Sequence, residues 1–176
     1  MKKYLLTAVA AMLALSVFAG NPLKVIEGKD AMKAVLKDNA AVCVQFDWAN
    51  GVFDNQQPLT EKFADAYDFI VNDCETSFIE AFNENSKTLS MSKDEAGAKY
   101  RFVLTIDNMD SYFAVMRFVP QWEGKMWGNL KVFSVESGET LAVIQITEAE
   151  DGADFNINEC YGETFGKLGK RIAKMK

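Results

Sequence analysis

Apolar positions recur along this chain with two different periods, and the points where one period gives way to the other outline its elements. Ala41 to Trp48 alternates strictly, with Val42, Val44, Phe46 and Trp48 on one side and Cys43, Gln45 and Asp47 on the other. A period of two predicts a strand with one face in a core, and Trp48 falls in register with that face. From Phe63 the steps lengthen to three and four. Phe63, Tyr67, Ile70, Cys74, Phe78, Ala81 and Phe82 make a single stripe, which predicts an amphipathic helix ending near Asn85 to Lys87. Alternation returns at Tyr100, Phe102, Leu104 and Ile106, predicting a second strand that runs to Asp107. Two further β-rich runs, Met126 to Val135 and Thr140 to Thr147, flank Glu136-Ser137-Gly138-Glu139 and read as a hairpin.

The last pattern is helical again. Asn156, with Glu159 three residues on, resembles a capping box, and Tyr161, Phe165, Leu168, Ile172 and Met175 form an apolar stripe behind it. Gly162, Gly166 and Gly169 share a neighbouring face. Each glycine costs a helix about 1 kcal/mol relative to alanine, so three together point to another backbone packed close. Nearer the N-terminus, Leu23 to Glu27 reads as a short strand and Ala31 to Leu36 as a short helix with Asp30 as its N-cap. The three prolines (Pro22, Pro58, Pro120) fall between periodic segments, and no linker or repeat divides the chain. The expected fold is a single α+β domain over residues 20–176. It should hold a mixed or mostly antiparallel sheet with two amphipathic helices packed on one face.

The first residues follow neither period. Lys2 and Lys3 precede an apolar stretch from Leu5 to Phe18, and Val17-Phe18-Ala19 supplies small residues at its end. This is the build of a cleaved signal peptide over residues 1–19, with the cut expected after Ala19. The stretch falls short of the about 20 residues that a spanning helix uses, and no later segment is apolar enough to span. No cysteine follows the small residues, which argues against a lipid anchor. The product is expected to be periplasmic or secreted.

Charge and chemistry narrow the function further. The net charge is −6, and removing a leader that holds two lysines makes it more negative still. That sign disfavours nucleic acid and anionic lipid surfaces as partners. A local basic patch is the exception: Lys167, Lys170, Arg171, Lys174 and Lys176 crowd the C-terminal end, where cations complement a helix dipole. The chain has no histidine, which excludes Ser-His-Asp and Cys-His catalysis and histidine-ligated zinc. Cys43, Cys74 and Cys160 contain no CxxC; one disulfide with a free thiol, or three buried thiols, both fit an odd count. The acids Glu148, Glu150, Asp151, Asp154 and Glu159 fail the spacing of a calcium loop and read as a solvated acidic loop before the last helix. No phosphate loop is present, and nothing calls for a cofactor or a metal.

Aromatic side chains provide the one candidate surface. Tyr112, Phe113, Phe118, Trp122 and Trp127 fall in or beside a segment around Pro120 and Gly124 that reads as irregular. Of these, Phe118, Trp122 and Trp127 are the candidate partner or ligand contacts, because aromatics bury large areas at low entropic cost. The competing reading is that they close the end of the core.

The second half of the chain resembles the amino-terminal domain of TolB and the related domain of curli secretion factors. The likeness rests on the Phe63–Phe82 helix and the Tyr100–Asp107 strand. It continues through Trp127-Gly128-Asn129-Leu130-Lys131-Val132, the turn Ser137-Gly138-Glu139-Thr140, and the closing helix with Gly166-Lys167-Leu168-Gly169-Lys170-Arg171-Ile172-Ala173. The resemblance implies a role in binding or assembly at the cell envelope, and it supplies no shared catalytic residues. The functional expectation is therefore a non-catalytic envelope protein that binds another protein, and exposed tryptophans would mark it. A glycan- or small-ligand-binding domain would instead line a pocket with those aromatics. An enzyme built on paired carboxylates would need a cleft with a carboxyl group of raised pKa.

Overall fold

The computed structural model describes residues 21–116, 119–154 and 156–175. In chain order the elements are β1 (Leu23–Glu27), α1 (Lys29–Val35), β2 (Ala40–Asp47), β3 (Val52–Phe53) and β4 (Gln57–Pro58). There follow α2 (Leu59–Phe63), a 3-10 turn (Ala64–Ala66), α3 (Tyr67–Asn85), β5 (Leu89–Ser92), β6 (Tyr100–Met116), β7 (Val119–Ser134), β8 (Thr140–Asp154) and α4 (Ile157–Ala173). The predicted signal peptide lies outside the described residues.

The strands form one mixed sheet in the order β1-β8-β7-β6-β2-β5, with β3 and β4 as a short extension beside β6. β2 runs parallel to both β5 and β6, while the β6, β7, β8 and β1 pairs are antiparallel. The alternation read from the sequence sets the faces. Val42 and Val44 of β2, Phe102, Leu104 and Ile106 of β6, Leu130 and Val132 of β7, and Ile144 and Ile146 of β8 are all buried. Against them lie Ile70, Cys74, Phe78 and Phe82 of α3 and Tyr161, Phe165, Leu168 and Ile172 of α4, so both amphipathic helices cover the same face. Each such side chain contributes about 1.5–3 kcal/mol by leaving water.

Aromatic rings lock the layers together. Phe46 meets Phe78 edge to face with centroids 5.5 Å apart, and Trp48 stacks on Phe165 at 5.4 Å. The Trp48 ring nitrogen donates to Glu75 Oε1 at 2.8 Å, so this tryptophan ties β2 to both helices.

Several expectations change. The helix stripe that starts at Phe63 is broken at Ala64, whose φ of 40° ends α2 and forces a 3-10 turn before α3 begins at Tyr67. Helix α1 starts at Lys29 and not beyond Asp30; its N-cap is Gly28, at φ 70°, and Asp30 lies in the first turn. Gly28 is required there, because a Cβ would run into the backbone of Leu141. The largest change concerns β6, β7 and β8, which extend well past the predicted ends. The supposedly irregular stretch around Pro120 and Gly124 is β-hairpin, and the acidic run after Thr147 is strand through Asp154, not loop. All three cysteines are buried and free.

Candidate functional site

The long strands outgrow the rest of the sheet. On its outer edge β6 is paired by β2 through Thr105 and by β3 through Met109. On its own outer edge β8 is paired by β1 through Ile146. Beyond those points, among the described residues, the three strands continue as a ribbon with both outer edges unpaired. Free N–H and C=O groups on such edges can accept another strand.

Gly124 fixes where the ribbon leaves the body. Thr164 of α4 donates its hydroxyl to Gly124 O at 3.1 Å, and a Cβ on Gly124 would stand only 2.7 Å from that hydroxyl. The helix therefore rests on bare backbone, and everything past Gly124 overhangs the start of α4.

Alternation sorts the ribbon's side chains into two faces. Along β7 the even positions Gly124, Met126, Gly128, Leu130 and Val132 are buried toward the helices, and the odd positions face away. Trp122 belongs to the even set. It is half-buried, packs against the core, and stands across from Phe113 with ring centroids 5.4 Å apart at 67°. Trp127 belongs to the odd set and is half-buried on the other face, opposite Asn108. The two candidate tryptophans thus do not share a surface, and Phe118 lies outside the described residues.

Ile26 and Phe69 are exposed on the body, and on the ribbon the exposed aliphatic and phenyl side chains are ones that pattern reading did not single out as contacts. Phe113 is 55 % exposed and Val115 is 65 % exposed, two positions apart on β6 and on the face shared with Trp122. On the opposite face Tyr112 donates to Glu123, and Lys125 lies 4.8 Å from the Tyr112 ring centroid while pairing with Glu148 at 2.6 Å. Among the described side chains, one face of the ribbon thus exposes Phe113 and Val115, and the other carries the Tyr112, Glu123, Lys125 and Glu148 contacts beside half-buried Trp127.

Clefts occur elsewhere in the molecule. One of about 350 Å³ between α3 and α4 is lined by Phe69, Asp73, Ser77, Glu159 and Glu163. Here burial, with Glu159 adding to it, pushes the Asp73 carboxyl above its ordinary range. Among the described residues no group of three or more Cys, Asp or Glu is placed to hold a metal ion, and no helix is long and apolar enough to cross a membrane.

No protein-family model matches this chain, and no curated protein matches it. Solved structures do. The PelC dodecamer from Paraburkholderia phytofirmans is similar at 9 % identity and a TM-score of 0.45, over 88 % of this chain and 98 % of that one. A Xanthomonas campestris protein of the DUF330 family is similar at 10 % identity and a TM-score of 0.42, over 76 % of this chain and 82 % of that one. Likeness at TM-scores below 0.5 fixes neither family nor function.

Proposed function

We propose that this protein is an exported, non-catalytic binding protein of the cell envelope, and that it docks another protein through the β6–β7–β8 ribbon. The observation that carries this reading is the pair Phe113 and Val115, apolar and exposed at 55 % and 65 % on a projecting strand with a free edge. A soluble protein gains nothing from holding such a strip in water, whereas a partner strand or apolar surface would cover it. Trp122 backs the strip from the core side and gives it a rigid base. The N-terminal pattern supports export, and the resemblance to TolB and curli secretion factor domains fits an assembly role.

The ligand-binding alternative would need the ribbon aromatics to line a cleft; the clefts described between α3 and α4 and at the end of α4 are lined by other residues. The carboxylate-enzyme alternative has Asp73 with its raised pKa, but that carboxyl sits between two packed helices, and close packing accounts for it.

The test is affinity purification of the tagged chain from crosslinked cell envelopes, beside Phe113→Ser/Val115→Ser and Trp127→Ala variants that retain the wild-type circular dichroism spectrum. A stoichiometric protein lost in the first variant and kept in the second supports the reading. Retention of every partner by the first variant, or no partner with any version, would sink it.

A further inference from the structure

The end of α4 meets the start of β1 in a cleft of about 620 Å³ whose lining is unlike the rest of this acidic chain. Lys167, Lys170, Arg171 and Lys174 line it together with Leu23 and Met175. Spacings of three, four and seven residues place the four cations on one helix face, where like charges repel. The helix dipole accounts for a cation or two in the last turn, since its influence fades within that turn. Lys167 stands further back, and its ion pair among the described residues is a loose one to Glu163 at 3.9 Å. Lys167 and Lys170 also border the groove against Glu80 and Glu84 of α3, yet no ion pair crosses it among the described residues. Lys170 and Lys174 have neither a hydrogen bond nor an ion pair among the described residues. Positive charge gathered on one face, with Lys170 and Lys174 uncompensated among the described residues, calls for an external anion.

Two further observations say what kind of anion. Asn21 also lines the cleft, and its side chain accepts from Leu23 N at 3.1 Å, so the chain enters the folded body at this spot. Cleavage after Ala19 would leave the mature amino terminus within a few residues of the four cations. Half-buried Met175, over the buried Leu23, sets an apolar floor beside the charges, which suits a phosphate carried on a hydrocarbon better than a bare ion.

We propose that this cleft is a docking site for the phosphate-bearing headgroups of an anionic phospholipid surface. It would seat the domain on the membrane at the end where its N-terminal segment enters, and leave the opposite end free. The net negative charge does not oppose this, because headgroup attraction acts over about a Debye length and is set by the local patch. The site is separate from the ribbon, and the proposal stands or falls without the protein-docking reading.

The test is co-sedimentation of the mature chain, residues 20–176, with vesicles of phosphatidylcholine alone and of phosphatidylcholine mixed with phosphatidylglycerol. Binding to the neutral vesicles measures attachment that needs no anionic headgroup, and the surplus on the anionic ones measures the cleft. A surface cation is worth about fivefold in such binding, so Lys170→Gln with Lys174→Gln should cut the surplus about twenty- to thirtyfold. Binding to neutral vesicles should not change. The same charge change placed elsewhere, Lys62→Gln with Lys131→Gln, should leave the surplus within about twofold. The proposal is overturned if the control pair reduces the surplus as much as the cleft pair, or if no surplus exists. It is equally overturned if the chain binds inorganic phosphate through Lys170 and Lys174 while showing no preference for anionic vesicles.

Discussion

The Asp73 carboxylate of α3 lies directly over Gly162 of α4, so close that a Cβ at residue 162 would collide with its Oδ2. Gly166 and Gly169 continue the contact along Ser77 and Phe78. Their matching order along the two helices shows that α3 and α4 run parallel.

The three glycines are not equivalent, and alanine substitutions should rank them. At Gly169 the obstacle is the backbone carbonyl of Phe78, which cannot move aside; G169A should cost about 1–3 kcal/mol. At Gly166 the nearest atom is 3.5 Å from the added carbon, an ordinary contact, so G166A should gain up to about 1 kcal/mol from helix propensity. G162A should fall between them, because the Asp73 side chain can rotate away. Urea denaturation of the three variants checks the order; a destabilised G166A would contradict it.

Asp73 also predicts a pH dependence. Burial, then the charge of Glu159, raises its pKa in the folded chain. Protonation is therefore easier folded than unfolded, and this group's contribution to stability is lost as pH rises through its folded-state value. Asp73→Asn should be more stable than the wild type at neutral pH. That advantage should fade as the pH falls through the folded-state value of Asp73 and be gone below about 3.9, the ordinary value for an aspartate. Melting curves for both proteins across that interval provide the comparison.

Trp48 should dominate the joint between sheet and helices. Trp48→Ala removes the stack on Phe165 and the hydrogen bond to Glu75, and should cost about 3 kcal/mol. Trp48→Phe keeps the stack and should lose only about 1 kcal/mol with the hydrogen bond. Equal losses in the two variants, measured by chemical denaturation, would show that the ring contributes nothing.

The thiols offer a simple chemical check. Cys43, Cys74 and Cys160 are buried, and desolvation raises the pKa of Cys74 well above that of an exposed thiol and raises that of Cys43 as well. Thiolate is the reactive form. The native protein should thus be silent toward an aromatic disulfide reagent at neutral pH, and all three thiols should titrate after denaturation. A count of one would reveal a disulfide.

The parts of the fold that were legible in the sequence are those where one face is buried. Val42 to Trp48 and Tyr100 to Ile106 alternate because each meets helices on one side and polar surroundings on the other. The ribbon was not legible, since it projects past the helices and loses the contrast between faces. Pro120 and Gly124 read as loop signals, yet Pro120 pairs with Val115 near the hairpin turn and Gly124 gives way to Thr164. β3, β4 and β5 are too short for any period to show. The site was half legible: aromatic content drew attention to the right segment, but exposure at Phe113 and Val115 depends on where α4 begins. The basic cleft was visible only as a crowd of cations, because nothing local says that Leu23 folds back beside Lys170.

That return of the chain's start onto its end has a consequence for assembly. Leu23 pairs with Ile146 and Val25 with Ile144, so the first strand finds its partner only when β8 is in place. Contacts between residues so far apart in sequence close the largest loop of any strand pair in the sheet and form slowly. Until then the opening segment has nothing to fold against, even while β6 and β7 zip together beside it. The seam between β1 and β8 should be the last to close as the protein gains its shape and the first to part when it is pulled from its N-terminus.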